Sequence, residues 1–178
     1  MSGARHAAGG GDAGRTGRPP PAGGDEAVPL LLFRLGRRWF AMDARAIVEV
    51  ALHGQVTRVP MAPSHILGVA SLRGRLVTVV SLEQMLGAES VLPMDSSATL
   101  PRLVVVREGL CEVAVVAHGI AGLIERAVSI TPGRPSGAPD FVREEFAREE
   151  GLVWLLDTRD LVATVARRAG TEPEEGGP

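Results

Sequence analysis

The feature that most constrains the fold is a series of short apolar runs separated by glycine-containing turns. Examples are PLLLFRL and GRRWFAMDA, followed later by HILGVASL and GRLVTVVSL, with Gly36 and Gly74 at the breaks. Runs of this length, bounded by turn residues, predict β-strands joined as hairpins. The alternating stretch QVTRVP predicts a further strand. A helical turn is predicted at DARA, and a short helix at SLEQMLG, where Ser81 can cap the start and Gly87 can end it.

The second half of the chain repeats this order. LPRLVVVREGLCEVAVVAHGI reads as strand, turn and strand, and GLIERAVSITP matches IVEVALHGQVTRVP. GLVWLLDTRDLVATVARRAG matches GRLVTVVSLEQMLG, with Asp157 or Thr158 as the helix cap. The repeat predicts two related lobes of about five short strands each, which close most easily as small barrels. PDFVREEFAREEG has no counterpart in the first half and predicts a short amphipathic helix or an ordered loop.

The two ends of the chain differ in composition from this central part. Residues 1–27 are rich in Gly, Ala and Pro, and are predicted to be a disordered tail because they cannot bury enough apolar surface to offset the entropy of ordering. Residues 169–178 are predicted to be a flexible acidic tail. The folded domain is therefore expected over residues 28–168.

Charge and cysteine content exclude several classes of protein. The formal net charge of −2 argues against duplex nucleic acid as a partner, because phosphate neutralisation needs a basic surface. No apolar run approaches the roughly 20 residues of a membrane span, and no signal-peptide core is present at the N-terminus, so we expect no direct membrane insertion. The single cysteine, Cys111, lies in an apolar context and is predicted to be a small buried side chain in a reducing, cytoplasmic compartment.

The sequence offers no constellation that would support catalysis or cofactor binding. It contains neither a phosphate-binding P-loop nor a G-x-S-x-G motif. His53, His65 and His118 are isolated, without a second histidine at metal-ligand spacing. We therefore predict no catalytic residue, no metal and no cofactor. Trp39, Phe40 and Trp154 lie within apolar strands and are interpreted as core residues, which leaves a β-module that binds other proteins.

The ordered series FRLGRRWFAMDARAIVEV, QVTRVPMAP, GVASLRGRLVTVV and SLEQMLG resembles the CheW-like domain of bacterial chemosensory systems, over about residues 28–168. The resemblance implies an all-β fold with a few short helices, in which each of two lobes is a small five-stranded SH3-like β-barrel around a shared apolar core. It also implies a non-enzymatic adaptor. Its expected partners are the cytoplasmic tip of a methyl-accepting chemoreceptor and the regulatory domain of a CheA-type histidine kinase, at receptor arrays.

The resemblance also implies which residues bind partners. Glu49 and Arg73 correspond to a family acid–base pair near the receptor groove, and Gly68 to the glycine that opens the same stretch. The groove-lining positions correspond to Ile47, Val48, Ile120 and Leu123. Gly68 and Gly74 are expected to permit tight turns, the Leu76–Val80 run to fill the first lobe, and Arg75 to be solvated.

Some positions depart from the family pattern. Ser71 stands where an asparagine is usual, Thr78 and Ser81 where proline and aspartate are frequent, and His118 where aspartate is common. These departures leave open a regulator that contacts only the receptor or only the kinase. A small β-barrel enzyme or ligand-binding protein is the alternative from another class. Arg73 could also pair with Glu49 for structural reasons alone, without touching a partner.

Overall fold

The computed structural model describes residues 27–87, 100–127 and 133–170. The predicted tails over residues 1–27 and 169–178 lie almost entirely outside these ranges. In chain order the elements are β1 (Ala27–Leu35), β2 (Arg38–Asp43), a 3-10 turn (Ala44–Ala46), β3 (Ile47–Leu52), β4 (Val56–Thr57), β5 (Ile66–Leu72), β6 (Arg75–Val80), α1 (Leu82–Leu86), β7 (Arg102–Glu108), β8 (Cys111–Ala117), β9 (Gly119–Ala127), β10 (Val142–Arg148), β11 (Gly151–Leu156) and α2 (Thr158–Ala169). The prediction of a mostly β chain with a few short helices is confirmed.

The strands form two sheets, and each sheet draws on both halves of the sequence. The five-stranded sheet has the order β10–β11–β2–β1–β9, and the six-stranded sheet has the order β3–β7–β8–β6–β5–β4. Neighbouring strands are antiparallel, apart from β2 with β11 and β6 with β8, which run parallel. Strand for strand, β9, β1, β2, β11 and β10 correspond to β3, β7, β8, β6 and β5. The two predicted lobes are therefore present, and β4 adds a sixth strand to one of them.

The two repeats exchange their first hairpins. The hairpin β1–β2 pairs with β9 and β11 of the second repeat, whereas β7–β8 pairs with β3 and β6 of the first. Neither lobe is consequently one half of the sequence. An internal repeat determines the order of elements, but it does not determine which copy of a strand each hairpin pairs with.

A shared apolar core joins the two sheets. It takes side chains from one face of each sheet and from both helices, including Phe33, Phe40, Val104, Val115 and Leu161. Phe33 and Phe40 stack with ring centroids 5.7 Å apart, and α2 packs against β7 and β8. The face of each sheet that is turned away from the shared core carries a smaller apolar cluster, which we call the inner cluster of that sheet. In the six-stranded sheet this inner cluster consists of Ala70, Val77, Val79, Leu103, Val105 and Ala114.

Both helices begin, and α1 also ends, at the capping residues that the sequence predicts. The Ser81 hydroxyl accepts a hydrogen bond from the Gln84 N–H at 3.3 Å, and Gly87 ends α1 with a φ of 65°. Asp157 plays the same part for α2, where its carboxylate accepts from the Asp160 N–H at 3.1 Å. Ser81 therefore caps α1, as the sequence predicts.

Several predictions of local structure are wrong. PDFVREEFAREEG contains the strand β10 rather than a helix or loop, because its backbone pairs with β11. The strand predicted at QVTRVP is reduced to Val56–Thr57. Cys111 is exposed, since it is the first residue of β8 and lies beside the hairpin turn. Leu76 is also exposed rather than part of the core.

Gly68 lies within β5 and not at a turn. The pairing of β5 with β6 shifts register between Ile66 and Gly68, which marks a β-bulge. Gly68 has a φ of +146°, and a Cβ added to it would come within 2.2 Å of the Thr57 carbonyl oxygen. Glycine is required here because the β4 backbone passes directly over it.

Candidate functional site

The β5–β6 hairpin presents Arg73 to solvent. Leu72 pairs with Arg75, so Arg73 and Gly74 form a two-residue turn, with φ values of 49° and 80°. Positive φ at both positions is typical of a type I′ turn, in which Asn-Gly is the preferred pair. An arginine in this left-handed conformation is unusual, and such backbone strain is frequent at functional positions. The side chain of Arg73 is 85% exposed.

Glu49 supplies the acidic partner of Arg73, as the sequence predicts. It lies on β3, the edge strand of the six-stranded sheet, and its side chain is only 14% exposed. The closest approach joins Arg73 Nε and Glu49 Oε2, at 3.3 Å. A largely buried carboxylate needs compensating charge or hydrogen bonds. The structure therefore brings together the two residues that are 24 positions apart in the sequence.

Arg75 extends this pair into a network, contrary to the expectation that it is solvated. Its Nη2 donates to Glu49 Oε1 at 2.9 Å, and its Nη1 donates to Glu112 Oε2 at 2.5 Å. Arg107 in turn donates from Nε to Glu112 Oε1 at 2.8 Å. The side chain of Glu112 is 17% exposed, so two largely buried carboxylates share three arginines. The network carries a net charge of +1, since three guanidinium groups face two carboxylates.

The network closes one end of the inner cluster of the six-stranded sheet. Glu49 pairs with Val105, and Val105 pairs with Ala114, so these three side chains share a face of the sheet. Arg107 and Glu112 pair with each other one step further along the same face, beside the β7–β8 turn. At this rim the charged groups neutralise one another through hydrogen bonds, while the methylene groups of the same side chains cover the apolar cluster.

The remaining predicted site residues occupy different surroundings. Ile47 on β3 and Ile120 on β9 are partly buried against the shared core, one on the edge strand of each sheet. Val48 instead packs against the inner cluster of the six-stranded sheet. Leu123 on β9 is 67% exposed. Gly68 supports the passage of β4 over β5 and presents no side chain.

Sequence reasoning missed Arg75, Arg107 and Glu112. The cross-strand pair of Arg107 with Glu112 has a sequence signal, because the two residues flank the Gly109–Leu110 turn at matching distances. The contact of Arg75 with Glu112 has no sequence signal, because it depends on the parallel pairing of β6 with β8. Leu76 and Leu110 lie exposed at the same end of the sheet, at the start of β6 and directly before β8.

His118 makes a contact that also lies outside the predicted site. Its Nδ1 accepts a hydrogen bond from the Gly36 N–H at 2.9 Å, and its own backbone N–H donates to the Arg34 carbonyl at 2.7 Å. Burial lowers the pKa of His118 below the ordinary value. The negative charge of Glu83 raises the pKa of His118, and the positive charge of Arg34 lowers it further. The imidazole therefore holds the β1–β2 turn as a neutral acceptor.

Within residues 27–87, 100–127 and 133–170, no three His, Cys, Asp or Glu side chains are grouped closely enough to hold a metal ion. The helices of this described part are too short or too polar to cross a membrane. The candidate site in the described chain is the charged end of the six-stranded sheet, with its exposed arginine Arg73.

Comparison with known proteins shows the class of protein that this fold represents. The model of the CheW-like domain family matches residues 29–166, and the chain belongs to this family. The chain is 32% identical to the chemotaxis protein CheW of Rhizobium meliloti (strain 1021) over 154 residues, covering 79% of this chain and 90% of that protein. It is 27% identical to the chemotaxis protein CheW of Klebsiella aerogenes over 120 residues, covering 67% of this chain and 68% of that protein.

A solved structure shares the two-lobed fold. The crystal structure of the scaffolding protein TtCheW from Thermoanaerobacter tengcongensis aligns with a TM-score of 0.61 at 16% sequence identity. The alignment covers 83% of this chain and 91% of the other. This likeness confirms the predicted fold.

Proposed function

We propose that this protein is a non-enzymatic adaptor of a bacterial chemosensory array. It couples the cytoplasmic tip of a methyl-accepting chemoreceptor to the regulatory domain of a CheA-type histidine kinase. Membership of the CheW-like domain family and the similarity to proteins named chemotaxis protein CheW support this proposal. On this proposal the protein acts in the cytoplasm, where its partners hold it at the receptor array.

The observation that carries the proposal is the pairing of Glu49 with an exposed Arg73. The resemblance implies that these two positions lie near the receptor groove, and here they are in contact at one end of the six-stranded sheet. Arginine is enriched among the residues that dominate protein interfaces, because its planar guanidinium binds carboxylates and also packs on apolar surface. A strained turn that nevertheless keeps an arginine accords with such a binding role.

The apolar positions complete the proposed binding surface. We propose Glu49, Arg73 and Gly68, together with Ile47, Val48, Ile120 and Leu123, as the residues that bind or support binding of the partners. Leu123 is exposed, and Ile47 and Ile120 lie partly buried at the edges of the two sheets. In this proposal the apolar residues supply the centre of the interface and the charged residues supply its polar rim.

The proposal is tested by titrating the purified protein into a receptor-tip helical fragment and into the regulatory domain of the kinase from the same organism. Isothermal titration calorimetry should detect binding to both. We expect Arg73→Glu to weaken at least one of these interactions tenfold or more, because the reversed charge is repelled where the arginine was attracted. Arg37→Glu is the matched control, since Arg37 is an exposed arginine in a turn of the other sheet.

The outcomes separate the alternatives. Absence of binding to both fragments would contradict the adaptor function. Binding to one fragment alone would contradict coupling and identify a regulator that contacts only the receptor or only the kinase. Equal weakening by Arg73→Glu and Arg37→Glu would show a general charge effect, and would remove Arg73 from the proposed binding surface.

A further inference from the structure

Glu49 is held by two arginines whose contacts differ in quality. Arg75 donates a hydrogen bond to Oε1 at 2.9 Å, whereas Arg73 approaches Oε2 at 3.3 Å and donates no well-aligned hydrogen bond within the described part of the chain. The side chain of Arg75 is 40% exposed, compared with 85% for Arg73. A charge-assisted hydrogen bond with good geometry is the stronger interaction, so Arg75 is the main partner of Glu49.

Arg75 is itself fixed in place. Its second nitrogen binds Glu112, and Glu112 is held from the other side by Arg107. Arg75 also lies on β6, an inner strand with neighbours on both sides, while Arg73 lies on a turn. Removing Arg73 from Glu49 therefore leaves both buried carboxylates with a hydrogen-bonded arginine.

We propose that Arg75 is a positioning residue that neutralises Glu49 and thereby leaves Arg73 available to a carboxylate on the partner protein. This inference rests on the proposed adaptor function and specifies the chemistry of the partner at this site. Arg73 turns from Glu49 to an acidic side chain of the partner, without leaving a buried charge unpaired. The exposed Leu76 and Leu110 at the same sheet end fit apolar side chains beside that acidic group.

The first test measures the unbound protein. Arg73→Asn removes the guanidinium and keeps a residue that suits the left-handed turn. We expect its melting temperature to stay within about 1 °C of the wild type, whereas Arg75→Met lowers it by on the order of 5 °C. Glu49→Gln should recover most of the loss in the Arg75→Met background, because it removes the carboxylate left without its main partner. Equal losses for Arg73→Asn and Arg75→Met would overturn the assignment of Arg75.

The second test measures binding to the receptor-tip fragment and to the kinase regulatory domain. Arg73→Asn should weaken binding to at least one of the two fragments tenfold or more. The difference in affinity from wild type should shrink in high salt. Arg75→Met should also weaken binding. Without Arg75, Glu49 has Arg73 as its remaining arginine partner and competes for it with the carboxylate of the partner protein. The double variant Arg75→Met with Glu49→Gln should bind as tightly as the single variant Glu49→Gln, since Glu49 competes for Arg73 in neither of them. Binding is measured at a temperature at which circular dichroism shows every variant to be folded, where an Arg75 with a structural role alone would leave binding by Arg75→Met unchanged.

The outcomes distinguish this inference from the adaptor function itself. Wild-type binding that Arg73→Asn leaves unchanged would overturn the inference and leave the adaptor function standing. Weaker binding by the double variant than by Glu49→Gln alone would show that Arg75 does not act through Glu49 and Arg73. If the wild type binds neither fragment, the adaptor function fails, and the proposed role of Arg73 fails with it. The melting temperatures then still decide whether Arg75 is the main partner of Glu49.

Discussion

His118 shows how one substitution changes the chemistry of a contact. Its Nδ1 accepts the Gly36 N–H, and an imidazole nitrogen can accept only while it carries no proton. The resemblance predicts an aspartate at this position, whose carboxylate would accept over a much wider pH range. With histidine, the hydrogen bond to the β1–β2 turn becomes sensitive to pH in the range where histidine titrates.

We expect the protein to lose stability in mild acid because of His118. Burial lowers the folded-state pKa of His118 below the ordinary value of 6.5, so the unfolded chain takes up its proton first as the pH falls. The contribution of His118 is fully present above pH 6.5 and decreases as the pH falls through that value toward the lowered pKa. His118→Asn keeps an acceptor that does not titrate.

The measurement is urea unfolding of wild type and His118→Asn between pH 5 and pH 8. The wild type should lose roughly 1 kcal/mol more than the variant across this range, the net contribution of one hydrogen bond. His65, whose pKa burial also lowers, is present in both proteins and cancels in the comparison. Parallel pH curves for the two proteins would contradict the prediction.

At single residues, the sequence predicts contacts where a motif carries them and misses contacts that depend on topology. The Glu49–Arg73 pair follows from the resemblance, and the structure contains it. The bridge from Arg75 to Glu112 spans 37 positions, because β6 and β8 run side by side. Nothing in the local sequence indicates that two strands from different repeats are parallel neighbours.

Among the elements, β4 shows how a very short strand is held. It contributes two residues to the sheet, and its backbone passes over the bulge at Gly68 in β5. The gap between these backbones is too small for any side chain. The glycine therefore controls whether the sixth strand can join the sheet.

We expect Gly68→Ala to destabilise the protein by about 3 kcal/mol, because the added methyl group collides with the Thr57 carbonyl and the backbone is in a left-handed region. Urea unfolding measures the change. Gly54→Ala is the matched control, since a Cβ at Gly54 meets nothing within 4 Å. Similar unfolding midpoints for the two variants would contradict a close backbone contact at Gly68.

The sequence predicts helix boundaries that depend on nearby capping residues, but it does not predict the strand β10, which depends on pairing with a neighbouring strand. Ser81, Gly87 and Asp157 delimit the helices through contacts within a few residues, which a sequence can display. The strand β10, VREEFAR, is itself rich in glutamate and arginine, which favour helices over strands. Pairing with β11 overrides that local preference, and pairing is a property of the folded chain.

At the scale of the whole molecule, the exchanged hairpins determine which parts can be stable alone. The first repeat supplies β1 and β2 to a sheet whose other strands come from the second repeat. A fragment containing one repeat would expose the unpaired edge of that hairpin and half of the shared core. The repeats are therefore units of sequence and not units of folding.

We expect neither residues 27–87 nor residues 100–170 to fold cooperatively when expressed separately. Mixing the two fragments should restore a cooperative transition, because every pairing between β1–β2 and the second repeat can then form. Circular dichroism during urea unfolding, with size-exclusion chromatography of the mixture, measures both properties. A cooperative transition in either fragment alone would contradict the prediction.

The same exchange has a consequence for the order in which the protein can fold during synthesis. The β1–β2 hairpin leaves the ribosome well before its partners β9 and β11, which begin at Gly119 and Gly151. Long-range pairings of this kind slow folding, because a long loop must close before the contacts form. The edge of the apolar strand β1 that pairs with β9 therefore stays exposed until β9 has been made, and this interval is when a chaperone would be most useful.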